Sequence, residues 1–467
     1  MNAAQHFYAR ESRREFLKSS GLGIGGLGLG SLLNQNLFAD NAATRRPHFR
    51  PRAKHVIYLH MVGAPSQLDL FSHKPELTKR TGEKCPDHMF KGKRLAFIRQ
   101  HPLLLGSRFK FNRHGQGGLA LCEHLPQLGT VADELCLVQS IRTEHFNHAP
   151  AQLFMHTGFG RFGRPGIGSW INYGLGSENN DLPGYVVMIT GSVAGAGNSL
   201  WGSGFLPTVH QGIEFRSSGD PVLFLSNPKG INRDDRREIV DGINFLNRQS
   251  FDAVGDHEIN TRIAQYEMAF RMQSSVPELT DISKEPKEVL EMYGPEVNKL
   301  GSYARNCLLA RRMAERDVRF VQLFHRGWDH HSSLPKHMRG QCKDVDQPSA
   351  ALLKDLKLRG LLDDTLVVFV GEFGRTVYGQ GNITRENYGR DHHPRCFSGW
   401  LAGGGIKGGM HYGKTDDFSY NIVKDPVSVH DLHATMLHLL GINHLDLTFR
   451  FQGRQYRLTD VAGNIIQ

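Results

Sequence analysis

The feature that most constrains this chain is a series of short apolar runs, each bordered by small or polar residues. His55-Val-Ile-Tyr-Leu-His-Met61 leads into Val62-Gly63-Ala64-Pro65, and comparable runs occupy Leu135–Ile141, Tyr185–Ile189, Val318–Phe324, Thr365–Val370 and Phe397–Ala402. Near-continuous apolar runs of this length suit strands covered on both faces, the habit of parallel sheets. Helical patterns lie between several of them. Val289–Arg316 and Pro348–Arg359 alternate charged with apolar positions at helical spacing, and Val429–Leu440 stops before Gly441, a residue suited to the position just past a helix end. Strand, helix, strand in this order predicts an α/β fold: a mostly parallel central sheet with helices on both faces. No repeat of 20–50 residues is present. The Gly- and Ser-rich stretch Ser192–Arg216 reads as an ordered insertion or rim loop, so residues 55–467 are expected to form one α/β domain.

With 39% hydrophobic and 22% charged residues over 467 positions, the chain can bury a large core, and fibrous and polytopic membrane classes are excluded. Its formal net charge is +10, but the excess is concentrated early. Residues 1–39 carry Arg10, Arg13, Arg14 and Lys18 against Glu11 and Glu15; residues 40–54, a basic linker, carry five basic side chains against Asp40. What remains is too diffuse to argue for a nucleic-acid partner. Ser12-Arg13-Arg14-Glu15-Phe16-Leu17-Lys18 precedes an uncharged, Gly- and Leu-rich stretch to Phe38, which looks like a twin-arginine export signal. The partner implied is the twin-arginine translocation machinery, and the location is periplasmic, cell-surface or secreted. Cleavage after Ala39 would release the domain, whereas an uncleaved signal would tether it, and no other membrane span is expected. The six Cys show no C-x-x-C spacing, which argues against a zinc ribbon or a thioredoxin-like site.

In open α/β sheets, ligands gather at the carboxyl ends of the strands. The polar clusters of this chain fall beside its runs: Gly63-Ala-Pro-Ser-Gln-Leu-Asp69, His145-Phe-Asn147-His148, His325-Arg-Gly-Trp-Asp329-His330-His331, Gly371-Glu372-Phe-Gly-Arg375-Thr376, and Arg390-Asp391-His392-His393. Carboxylates and imidazoles at such ends are the ligand types of Zn, Mn or Fe. Two other motifs lead nowhere. Gly408-Gly-Met-His-Tyr-Gly413-Lys414-Thr415 fits the phosphate-loop spacing, but Asp416-Asp417-Phe-Ser follows where a helix should begin. There is also no G-x-S-x-G elbow. His430, His433 and His438, within the last helical pattern, are expected to be packed or solvated.

Asp363-Asp-Thr-Leu-Val-Val-Phe-Val-Gly-Glu372-Phe-Gly374 resembles the segment of the alkaline phosphatase and sulfatase superfamily that ends in an acidic residue, His and Gly. Val429–Gly441 is similar to that superfamily's closing helix, and His148-Ala-Pro-Ala-Gln152 with Thr157-Gly158 keeps the spacing of the sulfatase pattern Cys/Ser-x-Pro-Ser-Arg followed by Thr-Gly. Gly63-Ala-Pro-Ser66, Gly327-Trp-Asp329, Gly371–Thr376 and Leu401–Gly409 resemble more closely an uncharacterised, twin-arginine-exported, sulfatase-like bacterial family, across roughly residues 10 to 450. The departures are specific. His148 stands where sulfatases have Cys or Ser, so formylglycine chemistry has no residue to act on, and Glu372-Phe373 lacks the superfamily's imidazole.

The resemblance implies an alkaline phosphatase-like architecture and a divalent metal (Zn, Mn, Fe, Ca or Mg). The ligands implied are Asp69, Asp329, His331, Glu372 and His392, with His148 or Asn147 facing the substrate; Arg375, whose planar fork matches a tetrahedral oxyanion, is a candidate oxyanion clamp or else a surface salt bridge. The expected activity is hydrolysis of a phosphate or sulfate ester by activated water, or by attack of His148 itself. The alternative is a non-catalytic sulfatase-like protein that binds an anionic glycan or serves a surface assembly.

Overall fold

The computed structural model describes residues 46–466, apart from 93–100 and the single positions 194, 224, 257, 382 and 385. The export signal expected within residues 1–39 lies outside the described residues. The first described segment is tied down. His48 and Phe49 donate backbone N–H groups to Gly441 O, and Arg52 and Ala53 donate to Leu439 O.

A nine-stranded sheet forms the middle of the domain. Its strands are β1 (His55–Val62), β2 (Leu135–Arg142), β3 (Tyr185–Thr190), β4 (Ile213–Phe215), β5 (Phe320–Arg326), β6 (Thr365–Val370), β9 (Phe397–Ala402), β10 (Met410–Tyr412) and β11 (Val427–Ser428). In space the order is β10-β2-β9-β6-β1-β5-β3-β4, with β11 also on β2. Every pairing is parallel except the two made by β9 with β2 and β6. Each of the six apolar runs read from the sequence is a strand of this sheet. β1 lies near its centre and is buried at all eight positions, because β5 and β6 flank it and helices cover both faces.

Two apolar cores result, one on each face of the sheet. One includes Ile57, Leu59 and Met61 of β1 with α5 (Tyr303–Ala314) and α6 (Leu334–Leu358). The other includes Val56, Tyr58 and Val62 with α1 (His148–Thr157), α2 (Ile167–Leu175) and α7 (Val429–Leu439). Alternation along β1 sends successive side chains to opposite cores. The helical pattern expected over Val289–Arg316 is broken in the structure, into Lys287–Tyr293 and α5, at Gly294 (φ 91°) followed by Pro295. Gly441 has φ 77° immediately past α7, as its place in the sequence suggested.

Other elements give no such signal. A pair of long helices, α3 (Arg233–Val254) and α4 (Glu258–Thr280), pack on one another; α3 begins at a capping box formed by Asn232 and Asp235. Past β6, β7 (Gly374–Gln380) and β8 (Gly389–His393) form a separate antiparallel hairpin. The stretch Ser192–Arg216 is irregular, with two short 3₁₀ turns and the edge strand β4. All six Cys are buried free thiols. No helix among the described residues is long and apolar enough to cross a membrane.

Candidate metal centre

The carboxyl ends of β1, β5 and β6 meet the β7–β8 hairpin and the start of α1. Gly63, with φ 108°, makes the close approach possible: a Cβ there would lie 2.5 Å from Asp329 N. The loop Gly327-Trp-Asp329 therefore lies against the end of β1, where Trp328 N donates to Val62 O at 3.1 Å. Its indole is buried and donates through Nε1 to His325 Nδ1 at 3.0 Å, which fixes the loop and holds Asp329 at the rim.

Four side chains converge there. Asp329 Oδ1 lies 2.9 Å from His331 Nε2, 3.3 Å from His148 Nε2 and 3.5 Å from His392 Nε2. All four ligand atoms lie within 4.8 Å of one another. The opposite nitrogen of each ring is already engaged: His148 Nδ1 with Glu372 Oε1 at 2.7 Å, His331 Nδ1 with Gln380 Oε1 at 2.7 Å, and His392 Nδ1 with Phe146 O at 2.6 Å. A carboxylate and a carbonyl only accept, so Nδ1 of His148 and of His392 carries the proton and Nε2 of each ring is turned to the common point. His148 Nε2 is buried without a well-formed hydrogen bond. Three imidazole nitrogens and one carboxylate oxygen, backed by partners that fix each ring, are a fitting donor set for Zn, Mn or Fe, whereas Ca and Mg favour all-oxygen shells.

Charge is strongly organised around this point. Burial works against the ionised form of Asp329, but the three His around it and the positive charge of Arg375 hold its carboxyl well below the usual range. Burial also opposes a charged His148, yet Asp329 and Glu372 outweigh it and raise its pKa to about 9. His392 is shifted down, by burial first, against the pull of Asp329.

Of the five ligands expected from the resemblance, Asp329, His331 and His392 come together, and His148 joins them although it was expected to face the substrate. Asp69 does not join. It is fully buried in an ion pair with Arg390, whose Nε lies 2.7 Å from Oδ2, and it accepts from Ser66 Oγ at 2.6 Å. Glu372 lies one layer behind, buried, with Oε1 accepting from His148 Nδ1, from Gly63 N at 3.0 Å and from Gln152 Nε2 at 3.2 Å. Burial alone would raise its pKa, but His148 and His60 hold it below the usual carboxylate range. Arg375 is not placed as an oxyanion clamp either. Its buried guanidinium donates to Ala64 O at 2.9 Å, Arg390 O at 3.2 Å, Gly63 O and Asp329 Oδ1, so it braces the loops under the centre. Asn147 is the exposed N-cap residue of α1, and its side chain makes no capping hydrogen bond.

The phosphate-loop-like motif sits on two strands, Met410–Tyr412 and Lys414–Thr415, and opens no helix. In α7, His433 is buried and paired with Met155 O, and His430 with Gly158 O. Sequence reasoning missed Gln380, the Phe146 carbonyl, Gln152 and His60. Of these only His60 left a sequence signal, as a polar residue inside an apolar strand.

Residues 53–467 match the model of a family described as "Protein of unknown function (DUF1501)". No protein of curated function matches the sequence. Among solved structures, the lipoteichoic acid synthase LtaP from Listeria monocytogenes is similar at 10% identity over 91% of this chain and 80% of that one, with a TM-score of 0.38. The alkaline phosphatase from the Antarctic bacterium TAB5 is similar at 10% identity over 84% and 99% of the two chains, with a TM-score of 0.35. For the sulfatase PsFucS1 from Pseudoalteromonas sp. the values are 12% identity, 84% and 68%, and 0.34.

Proposed function

This chain belongs to the DUF1501 family, and we propose that it is an exported, metal-dependent hydrolase of phosphate or sulfate esters with an alkaline phosphatase-like architecture. The observation that carries the reading is the convergence of His148, Asp329, His331 and His392, with every imidazole anchored from behind. A divalent cation bound there supplies Lewis-acid polarisation of an ester oxygen.

The chain's own residues do the rest. His148 would hold the cation through Nε2 and is oriented by Glu372 at Nδ1, so as a ligand it would have neither nitrogen available to attack the ester. This favours water as the nucleophile. Arg375 holds Asp329 in place from within the fold. A cleft of about 350 Å³ at the edge of the sheet is lined by Ser192, Asn198, Glu214 and Arg216, and Gly195 in the loop that borders it packs against Ala149 and Gln152 of α1. Hydroxyl, amide, carboxylate and guanidinium groups together suit the body of an anionic glycan or similar polar ester. We place the protein outside the cytoplasm, delivered by the twin-arginine machinery through the motif at Arg13-Arg14.

One observation favours the second reading, a non-catalytic binding protein for anionic glycans or a surface assembly: the guanidinium nearest the centre is spent on backbone carbonyls. Elemental analysis of the exported, purified protein for Zn, Mn, Fe, Ca and Mg, beside Asp329→Ala, separates the readings when joined to assays on nitrophenyl phosphate and sulfate. The hydrolase reading expects near-stoichiometric metal, lost in the variant, and ester cleavage abolished by a chelator. Metal that only raises the melting temperature, with no cleavage, supports the binding protein. Absence of metal after reconstitution overturns the metal-dependent mechanism.

A further inference from the structure

His60 lies inside β1, where an aliphatic side chain would pack without polar cost. It is fully buried. Its ring packs edge-on against His156 and Phe324, with centroids 4.4 and 5.6 Å away. Neither ring nitrogen has a well-formed hydrogen bond, and neither does Glu372 Oε2. These orphans face each other: His60 Nε2 is 3.4 Å from Glu372 Oε2. The register explains the meeting, since β1 pairs His60 with Val370, two residues before Glu372. Glu372 Oε1 already receives three donors, His148 Nδ1, Gly63 N and Gln152 Nε2, so His60 is the group placed to hold the other oxygen.

We propose that His60 is a positioning residue for the metal centre: by holding Glu372 Oε2 it keeps Oε1 on His148 Nδ1, and so keeps His148 Nε2 aimed at Asp329, His331 and His392. The inference rests on the metal-centre reading above. A carboxylate that orients a ligating imidazole acts only as well as it is itself held. Without His60, one oxygen of a buried carboxylate would lack any partner, at a cost that favours rotation away from His148.

The test uses the full-length protein and zinc as the probe, with the dissociation constant measured by competition with a chromophoric chelator, for the parent, His60→Leu and His60→Gln. His60→Leu is expected to weaken zinc binding about 10–100-fold, the range for outer partners of a ligand. His60→Gln, whose amide can donate to Glu372, is expected to return it close to the parent value. Melting of the zinc-free proteins, measured alongside, reports packing alone. A purely structural role would shift that melting and leave zinc affinity unchanged. Parent-like affinity in a folded His60→Leu overturns the inference, and so does a His60→Gln variant as weak as His60→Leu. Should His60→Leu not fold, His60→Met takes its place in the same comparison. A parent protein that binds no zinc, manganese or iron overturns the metal-centre reading instead.

Discussion

His331 and His392 meet nitrogen to nitrogen, with their Nε2 atoms 3.0 Å apart. His392 Nδ1 is bonded to the carbonyl of Phe146 and His331 Nδ1 to Gln380 Oε1. With Nδ1 of His392 donating to that carbonyl, its Nε2 is left as an acceptor that faces His331 Nε2, itself 2.9 Å from Asp329 Oδ1. A proton on His331 Nε2 or a metal cation satisfies that point, and four ligand atoms, with each ring fixed from behind, favour the metal.

Replacing either ring by Ala is therefore expected to lower zinc affinity by more than the roughly 10–100-fold typical of outer partners. Equilibrium dialysis with elemental analysis reads the loss directly. Parent-like zinc content in both His331→Ala and His392→Ala would contradict the assignment.

Asp69 belongs to the fold rather than the centre. Its ion pair with Arg390 is fully buried, and Arg390 also donates to Leu105 O and Thr376 O. Asp69→Asn leaves the guanidinium charge uncompensated in the interior, a change that costs about 3–5 kcal/mol. Urea unfolding is expected to show that loss while the metal content of the folded protein is unchanged.

Arg375→Lys tests the bracing role. A lysine keeps the charge but cannot reach three carbonyls and Asp329 from one planar group. Breaking so buried a network is expected to cost about 2–3 kcal/mol of stability. Denaturant midpoints measure it, and a midpoint equal to the parent's would show that the carbonyl contacts contribute little.

The metal-free protein is expected to be most stable near neutral pH. Burial pushes His330 and His433 down to about 3 and His393 to about 4, and holds His156 well below its ordinary range. These groups bind protons near pH 6.5 only when unfolded, so stability falls as pH drops below about 6.5. His148 is raised to about 9, so its contribution is complete below about 6.5 and is lost as pH climbs through 9. Melting curves of chelated protein should therefore decline between pH 6.5 and about 8.5, before thiol ionisation in the unfolded chain adds its own loss. His148→Ala should flatten that decline and leave the acid limb intact. A parent-like decline in the variant would refute the link.

The order of strands and helices was legible in the chain because hydropathy periodicity is a property of neighbouring residues. Six apolar runs became six strands of the central sheet, and the polar residues flagged at their ends do surround one place. Which of those residues converge was decided elsewhere. Asp69, Glu372 and Arg375 have the chemistry of ligands and clamps, and nothing local distinguishes them from Asp329. Arg390 claims the first, His148 and His60 flank the second, and backbone carbonyls occupy the third. The hairpin that delivers His392 carries no periodic signal, and His148 reaches the centre only because α1 begins beside Glu372, 224 residues later in sequence. Sequence alone determined an α/β sheet with polar strand ends. Convergence of a carboxylate and three imidazoles was set by the tertiary structure, because it depends on loops from distant segments meeting within a few ångströms.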